Sequence, residues 1–78
     1  MNIKAIRELA EKYKTADLEA CINDQLTKHT NSCYAGETED EAIDSMSKAS
    51  YVCQLMENDH LSLTDAIRKM AQVIRESN

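Results

Sequence analysis

One short stretch of the chain, KHTNSCYAGET at residues 28–38, brings together side chains that could do chemistry. It contains His29 and Cys33, four residues apart, and Gly36, which is the single glycine of the chain. A thiolate–imidazole pair is one possibility, because a neighbouring base activates a cysteine as a nucleophile. A plain connector is the other, in which Cys33 is an exposed thiol and His29 ends a helix, where a cation suits the helix dipole. The sequence leaves both interpretations open.

The same residues raise the possibility of a zinc site. Structural zinc takes four Cys or His ligands, usually in two close pairs. The candidate ligands are Cys21, His29, Cys33, Cys53 and His60. No CxxC or HxxxH pair is present, so we expect no metal or other cofactor, with Cys21 and Cys53 as small buried hydrophobic residues. The odd number of cysteines, 3, predicts free thiols in a reducing cytoplasm and no disulfide framework.

Acidic side chains crowd the end of this stretch and could suggest calcium. They are Glu37, Glu39, Asp40, Glu41 and Asp44. An EF-hand loop needs its ligands at fixed offsets around a central glycine, and here the glycine precedes the acids. We therefore expect these carboxylates to cap and solvate the N-terminus of a helix.

The composition bounds the class of protein. A chain of 78 residues has room for one domain, here residues 1–78. It is 42% hydrophobic and 29% charged, which is typical of a soluble globular protein. The formal net charge of -5 disfavours contact with nucleic-acid phosphates and anionic membranes. The N-terminal residues lack the apolar core of a secretory signal, so we expect a cytoplasmic protein without a membrane partner. We expect no catalytic activity, because a helical chain of this length has little room for a concave pocket.

Hydrophobic periodicity predicts four helices and no strand. The predicted helices cover about residues 2–13, 16–28, 39–58 and 63–76. Asn2, Thr15, Thr38 and Ser62 are the predicted N-caps, and Thr38 with Glu41 reads as a capping box. The second helix has an apolar stripe of Leu18, Ile22 and Leu26. The predicted fold is all-α, a small four-helix bundle-like domain with short loops and one longer loop between helices 2 and 3. We expect residues 29–37 to be its most mobile internal segment.

The third predicted helix has more apolar residues than one neighbour requires. They are Ala42, Ile43, Met46, Ala49, Val52, Cys53, Leu55 and Met56. A helix with such a wide apolar arc is expected at the centre of the fold. Tyr51, Val52 and Leu55 lie on the surplus part of the arc, which is either core or an interface. We favour an interface for a protein partner or a homodimer, because a domain this small has a limited core of its own.

Residues 50–72, SYVCQLMENDHLSLTDAIRKMAQ, read as helix, short turn, helix. A helix-turn-helix regulator is therefore a second functional hypothesis, with Arg68, Lys69 and Arg75 available for phosphate. Against it, the turn lacks its usual glycine, and Asp65 would begin the recognition helix.

Four segments, taken together, have a familiar order: IRELAEKY, TADLEA, GETEDEA and LSLTDAIRKMAQVIRES. The chain resembles a family of small bacterial proteins that share a domain of unknown function, and it departs from that family in the loop with His29 and Cys33. The resemblance implies an all-helical fold and supplies no site residues. We therefore expect a non-catalytic protein-interaction or accessory module. The alternatives are the DNA-binding regulator and, third, a thiol- or zinc-dependent protein.

Overall fold

The computed structural model describes residues 1–77. Four helices follow one another: α1 Ile3–Lys12, α2 Thr15–Lys28, α3 Glu39–Asn58 and α4 Leu63–Glu76. Within the described residues there is no strand. The all-α prediction is confirmed, and so are the bounds of α3 and α4. The predicted first helix is a residue too long at each end, and α2 begins at Thr15, one residue earlier than predicted.

Helix α3 is the centre of the fold, as its wide apolar arc predicted. It packs against α1, α2 and α4, whereas α2 and α4 do not contact each other within the described part of the chain. Its buried residues are Ala42, Ser45, Met46, Ala49, Ser50, Val52, Cys53 and Leu55. The alanines and serines among them are small, and they allow neighbouring helices to approach closely. Helix α3, the longest, therefore packs against each of the other three helices.

The predicted interface on α3 is wrong for two of its three residues. Val52 is fully buried and Leu55 is 7% exposed, and both belong to the hydrophobic core. Tyr51 is half-buried against that core. The physical reason is that α3 has neighbours on three sides, so the apolar arc that looked surplus is covered by α1, α2 and α4. Sequence periodicity shows the width of an apolar face but not the number of helices that cover it.

The apolar face of α2 is also turned from the predicted stripe. Leu18, Cys21 and Gln25 are its buried residues, whereas Leu26 is 58% exposed. The buried face follows Cys21 and Gln25 because both side chains make contacts with the loop that follows α2, described below.

Side-chain capping starts three of the helices as predicted. Asn2 accepts from the Ala5 amide at 3.1 Å, and Thr38 and Ser62 begin α3 and α4 in the same way. Helix α2 is different because its N-cap is Lys14, which makes no side-chain capping bond. A carboxylate from the far end of α3 takes that place: Glu57 Oε2 accepts from the Thr15 amide at 3.2 Å and from the Thr15 hydroxyl at 2.8 Å.

This tertiary cap gives a first prediction. Replacing Glu57 with alanine leaves the Thr15 amide without its carboxylate acceptor, so we expect the free energy of unfolding to fall by about 1 kcal/mol, as for the loss of a conventional N-cap. Urea denaturation measures the change. Glu11→Ala, at an exposed position of α1, is the matched control and should change stability by less than about 0.5 kcal/mol. Equal effects of the two substitutions would contradict the capping role.

Candidate functional site: the loop between α2 and α3

The segment at residues 29–38 reverses the chain and lies back over α1 and α2. His29 ends α2 in the left-handed conformation, with φ of 61°, and its amide donates to the Gln25 carbonyl at 3.1 Å. His29 therefore ends a helix, which is one of the two interpretations that the sequence left open. Its Nδ1 lies 3.2 Å from Glu39 Oε1 in an exposed contact at the start of α3. The imidazole is therefore next to a carboxylate and not next to a thiolate.

A disulfide joins Cys21 on α2 to Cys33 in the loop. The prediction of free thiols is therefore wrong for these two residues, and it holds for Cys53, whose thiol is free and buried. The Cα atoms of the bonded pair are 6.2 Å apart across a sequence separation of 12. No spacing rule connects them, because the pairing depends on how the chain returns after α2.

This disulfide also removes two of the candidate zinc ligands. No group of three or more His, Cys, Asp or Glu side chains within residues 1–77 is placed to hold a metal ion. The thiolate–imidazole pair of Cys33 with His29 is likewise not assembled. The one free thiol, Cys53, donates to the Tyr13 carbonyl at 3.3 Å. Burial, with smaller contributions from Glu57 and Asp17, raises the pKa of Cys53 to about 11, so this sulfur remains a protonated packing group.

Asn31 organises the turn before Cys33. Its Oδ1 accepts from the amides of Cys33 at 2.8 Å and Tyr34 at 2.7 Å. Its Nδ2 donates to the buried Gln25 side chain at 2.7 Å and to the Tyr34 carbonyl at 2.9 Å. This is the local turn chemistry in which asparagine replaces a backbone partner. An Asn two residues before Cys33 is the sequence signal for this turn.

Tyr34 fastens the loop to α3. Its hydroxyl donates to Glu41 Oε1 at 2.9 Å, while Glu41 Oε2 accepts from the Glu37 amide at 3.1 Å. The Thr38 half of the predicted capping box is confirmed, but the Glu41 carboxylate turns to the loop. Gly36 has φ of 67°, and a Cβ there would lie 3.0 Å from the Ala42 nitrogen. The single glycine therefore lies where the loop passes close to the first turn of α3.

The Tyr34–Glu41 hydrogen bond leads to a second prediction, on pH. The bond, burial and the carboxylate charge raise the pKa of Tyr34 above its usual 10.0, partly opposed by a hydrogen bond from Asn2. A raised pKa in the folded state stabilises the fold fully below the unfolded pKa near 10, and this contribution is lost as pH rises through the folded value. Glu41→Gln should therefore lower the pKa of Tyr34.

Absorbance titration of tyrosinate measures this pKa, and Tyr34→Phe identifies its transition. Glu39→Gln, which removes the carboxylate beside His29 instead, is the control and should leave the transition in place. An unchanged Tyr34 transition in Glu41→Gln would show that the two side chains do not interact in solution.

Two concavities flank Cys33. The first, which we call the α1–loop groove, has a volume of about 150 Å³ and is lined by Ala5, Glu8, Leu9, Lys12, Tyr13, Cys33 and Tyr34. The second, the disulfide cleft, has a volume of about 360 Å³ and is lined by Tyr13, Asp17, Ala20, Cys21, Asp24, Ser32 and Cys33. Cys33 and Tyr13 line both, so the disulfide lies on the ridge between them.

A third cavity, of about 300 Å³, opens at the other end of the loop. Its lining is almost wholly polar: Gln25, His29, Thr30, Asn31, Ala35, Glu37, Thr38 and Glu39. His29 lines this cavity, but the polar groups around it bond to one another: His29 to Glu39 and Asn31 to Gln25. No nucleophilic thiol lines it.

The comparisons with known proteins agree with the resemblance seen in the sequence. No curated protein and no solved structure matches the chain. None of the helices in residues 1–77 is long and apolar enough to cross a membrane. The model of a family of unknown function, DUF6952, matches residues 1–77, and the chain therefore belongs to that family.

Proposed function

We propose that this protein is a non-catalytic protein-interaction or accessory module of the bacterial cytoplasm, and that the α1–loop groove is its contact surface. The observation that carries the proposal is the lining of that groove. Its floor is apolar, with Ala5 and Leu9 both from the core. Its sides are two half-buried tyrosines, Tyr13 and Tyr34. Tyrosines around a small apolar depression are typical of the anchor pockets at protein interfaces.

The size and rim of the groove favour a particular kind of occupant. A volume of about 150 Å³ suits one aliphatic side chain of a partner rather than a cofactor, since cofactor pockets are on the order of 300–1,000 Å³. Glu8 and Lys12 stand exposed at the rim, and Lys12 Nζ lies 5.4 Å from the centroid of the Tyr13 ring. The two opposite charges would orient a partner that presents an apolar side chain between charged neighbours.

The remaining chemistry of the chain is consistent with a non-catalytic role. Cys53 is buried with a raised pKa, and His29 contacts a carboxylate at the protein surface. The Cys21–Cys33 disulfide is of a kind that is rare in the cytoplasm, where disulfides are usually transient, catalytic or redox-sensing.

The test exchanges the rim charges without changing the net charge. Wild type, the double variant Glu8→Lys with Lys12→Glu, and a control serve as baits for affinity capture from native lysate. The control is Asp44→Lys with Lys48→Asp, which reverses another pair spaced by one helical turn, on α3. We expect a stoichiometric partner that wild type and control retain and the rim variant loses by tenfold or more.

Circular dichroism and light scattering complete the experiment. All three proteins should be equally helical, because reversing such a pair costs only a few tenths of a kcal/mol. If wild type is a dimer that the rim variant dissociates, the partner is a second copy of this chain. Capture that is equal for all three baits, or no partner together with a monomer at every concentration, would contradict the proposal.

The DNA-binding alternative receives less support, although its turn is possible. His60 adopts the left-handed conformation, with φ of 56°, so it takes the place of the turn glycine that the sequence lacks. The basic side chains of α4 are partly occupied, since Arg68 lies 3.5 Å from Asp65 and Lys69 lies 3.5 Å from Asp59.

For nucleic acid we therefore predict weak binding to duplex DNA without sequence preference, because the Lys and Arg side chains are scattered over the helices and two of those on α4 face carboxylates. Fluorescence anisotropy at physiological salt is the measurement. A sub-micromolar, sequence-dependent affinity that Arg68→Ala reduces would replace the interaction module with the regulator.

A further inference from the structure

We propose that the Cys21–Cys33 disulfide is a thiol-exchange site, at which a neutral or cationic thiol forms a mixed disulfide with Cys33. The exchange needs no protein partner, so its test is independent of the proposed interaction. Two observations lead to it. Cys21 and Cys33 differ in exposure, and the bond that joins them lies between two concavities.

The two cysteines differ in access. Cys21 belongs to the buried face of α2, is 6% exposed and lines the disulfide cleft only, whereas Cys33 is half-buried in the loop and lines both the cleft and the α1–loop groove. A thiolate attacks the sulfur that it can reach, and access is one of the determinants of exchange rate. Cys33 is therefore the electrophilic sulfur, and Cys21 is the leaving group.

The step balances without any other reactant. A thiolate RS⁻ forms a bond to Cys33 Sγ, the Sγ–Sγ bond breaks, and Cys21 leaves as a thiolate that takes up a proton. The product contains a Cys33–S–S–R mixed disulfide and a Cys21 thiol. A second RSH then attacks the mixed disulfide, giving RSSR and the Cys33 thiol. Two thiols are oxidised to one disulfide while the protein disulfide is reduced by two electrons.

The loop has other attachments that hold Cys33 in place once the bond is open. Asn31 bonds to the amides of Cys33 and Tyr34, and Tyr34 bonds to Glu41 on α3. These contacts do not involve sulfur, so they remain in the mixed disulfide. Cys21 consequently stays close to Cys33 and can displace RS⁻ again, which makes the exchange reversible. The released Cys21 thiol is accommodated as a small buried hydrophobic group.

Charge around the disulfide selects the class of thiol. Asp17 and Asp24 line the disulfide cleft, and Lys28 Nζ lies 3.6 Å from Asp24, so two carboxylates and one ammonium leave the cleft negative. On the other side, Glu8 and Lys12 both line the groove and their charges cancel. The approach to Cys33 is thus negative on one side and neutral on the other. An anionic thiol is repelled and a cationic one attracted. One carboxylate at about 6 Å changes the rate by roughly threefold in water at low ionic strength.

The test follows opening of the oxidised wild-type protein by three thiols at low ionic strength: cysteamine (cationic), 2-mercaptoethanol (neutral) and 3-mercaptopropionate (anionic). Acid quenching and mass spectrometry give the rates, and peptide mapping locates the first adduct. The same thiols acting on the urea-unfolded chain correct for their intrinsic reactivities. We expect adducts on Cys33, rates proportional to thiol concentration, and a corrected preference for cysteamine over 3-mercaptopropionate.

Two matched variants test the charge selection. Asp24→Asn should reduce the preference for cysteamine over 3-mercaptopropionate by about tenfold, because losing one carboxylate of the cleft slows the cationic thiol and speeds the anionic one by roughly threefold each. Asp44→Asn should leave it unchanged, although Asp44, like Asp24, pairs with a lysine one helical turn away. Adducts formed first on Cys21, or a rate that does not depend on thiol concentration because it is limited by unfolding, would overturn the proposal. An identical effect of Asp24→Asn and Asp44→Asn would overturn the charge selection.

Discussion

Replacing Val52 with glutamate is expected to unfold most of the protein. Val52 is fully buried at the centre of α3, where a carboxylate would have no partner and no access to water. An unpaired buried charge costs several kcal/mol, whereas a domain of this length has a total stability of about 4–12 kcal/mol. Thermal and urea denaturation followed by circular dichroism measure the loss.

Leu26→Glu is the matched control, since it introduces the same charge in place of a large aliphatic residue. Leu26 is 58% exposed on α2, so its replacement should change stability by no more than about 0.5 kcal/mol. If Val52→Glu were to remain folded while altering self-association, Val52 would belong to an interface, and the burial of the α3 arc by its neighbours would be wrong.

Removing the disulfide is expected to have the second largest effect. The bond closes a segment with a sequence separation of 12, and closing a loop of that length stabilises a protein by about 2–3 kcal/mol, chiefly by restricting the unfolded chain. The variant with both Cys21→Ala and Cys33→Ala should therefore melt about 10–20 °C lower than the oxidised wild type.

The reduced wild-type protein separates the bond from the side chains. It retains both sulfur atoms, so it should melt close to the double variant if the bond itself is responsible. Cys53→Ala provides a contrast, because it removes a buried thiol and no bond. Equal melting temperatures of the oxidised and reduced wild type would mean that the bond contributes nothing to stability.

The helices could be predicted because their signals are local. Periodicity and capping residues lie within a few positions of each other, and Thr38 and Ser62 mark the beginnings of α3 and α4 where they were expected. Helix α2 starts one residue earlier than predicted: the Lys14 amide donates to the nearby Asp17, and the Thr15 amide donates to Glu57, which is 42 residues away from Thr15 in sequence. A contact at that separation leaves no local pattern.

The surroundings of Cys33 also combine features that have a local sequence signal with contacts that have none. Gly36 and the polar composition predict a loop, but the bond between Cys33 and Cys21 depends on the reversal of the chain after His29. The choice between core and interface at Val52 similarly depended on the number of helices around α3. Local sequence indicated which residues could act, and tertiary structure determined which of them meet.

The loop was expected to be mobile, and the structure gives it three independent attachments: the disulfide, the Asn31 turn and the Tyr34–Glu41 hydrogen bond. Both concavities at Cys33, and hence both proposed activities, depend on this loop being held against α1 and α2. Amide hydrogen exchange of the oxidised protein, read residue by residue by NMR, tests that dependence most directly. We expect the Cys33 and Tyr34 amides to exchange at least about tenfold more slowly than unprotected amides, and Asn31→Ala to abolish this protection. Exchange of both amides at unprotected rates in the wild type would contradict it.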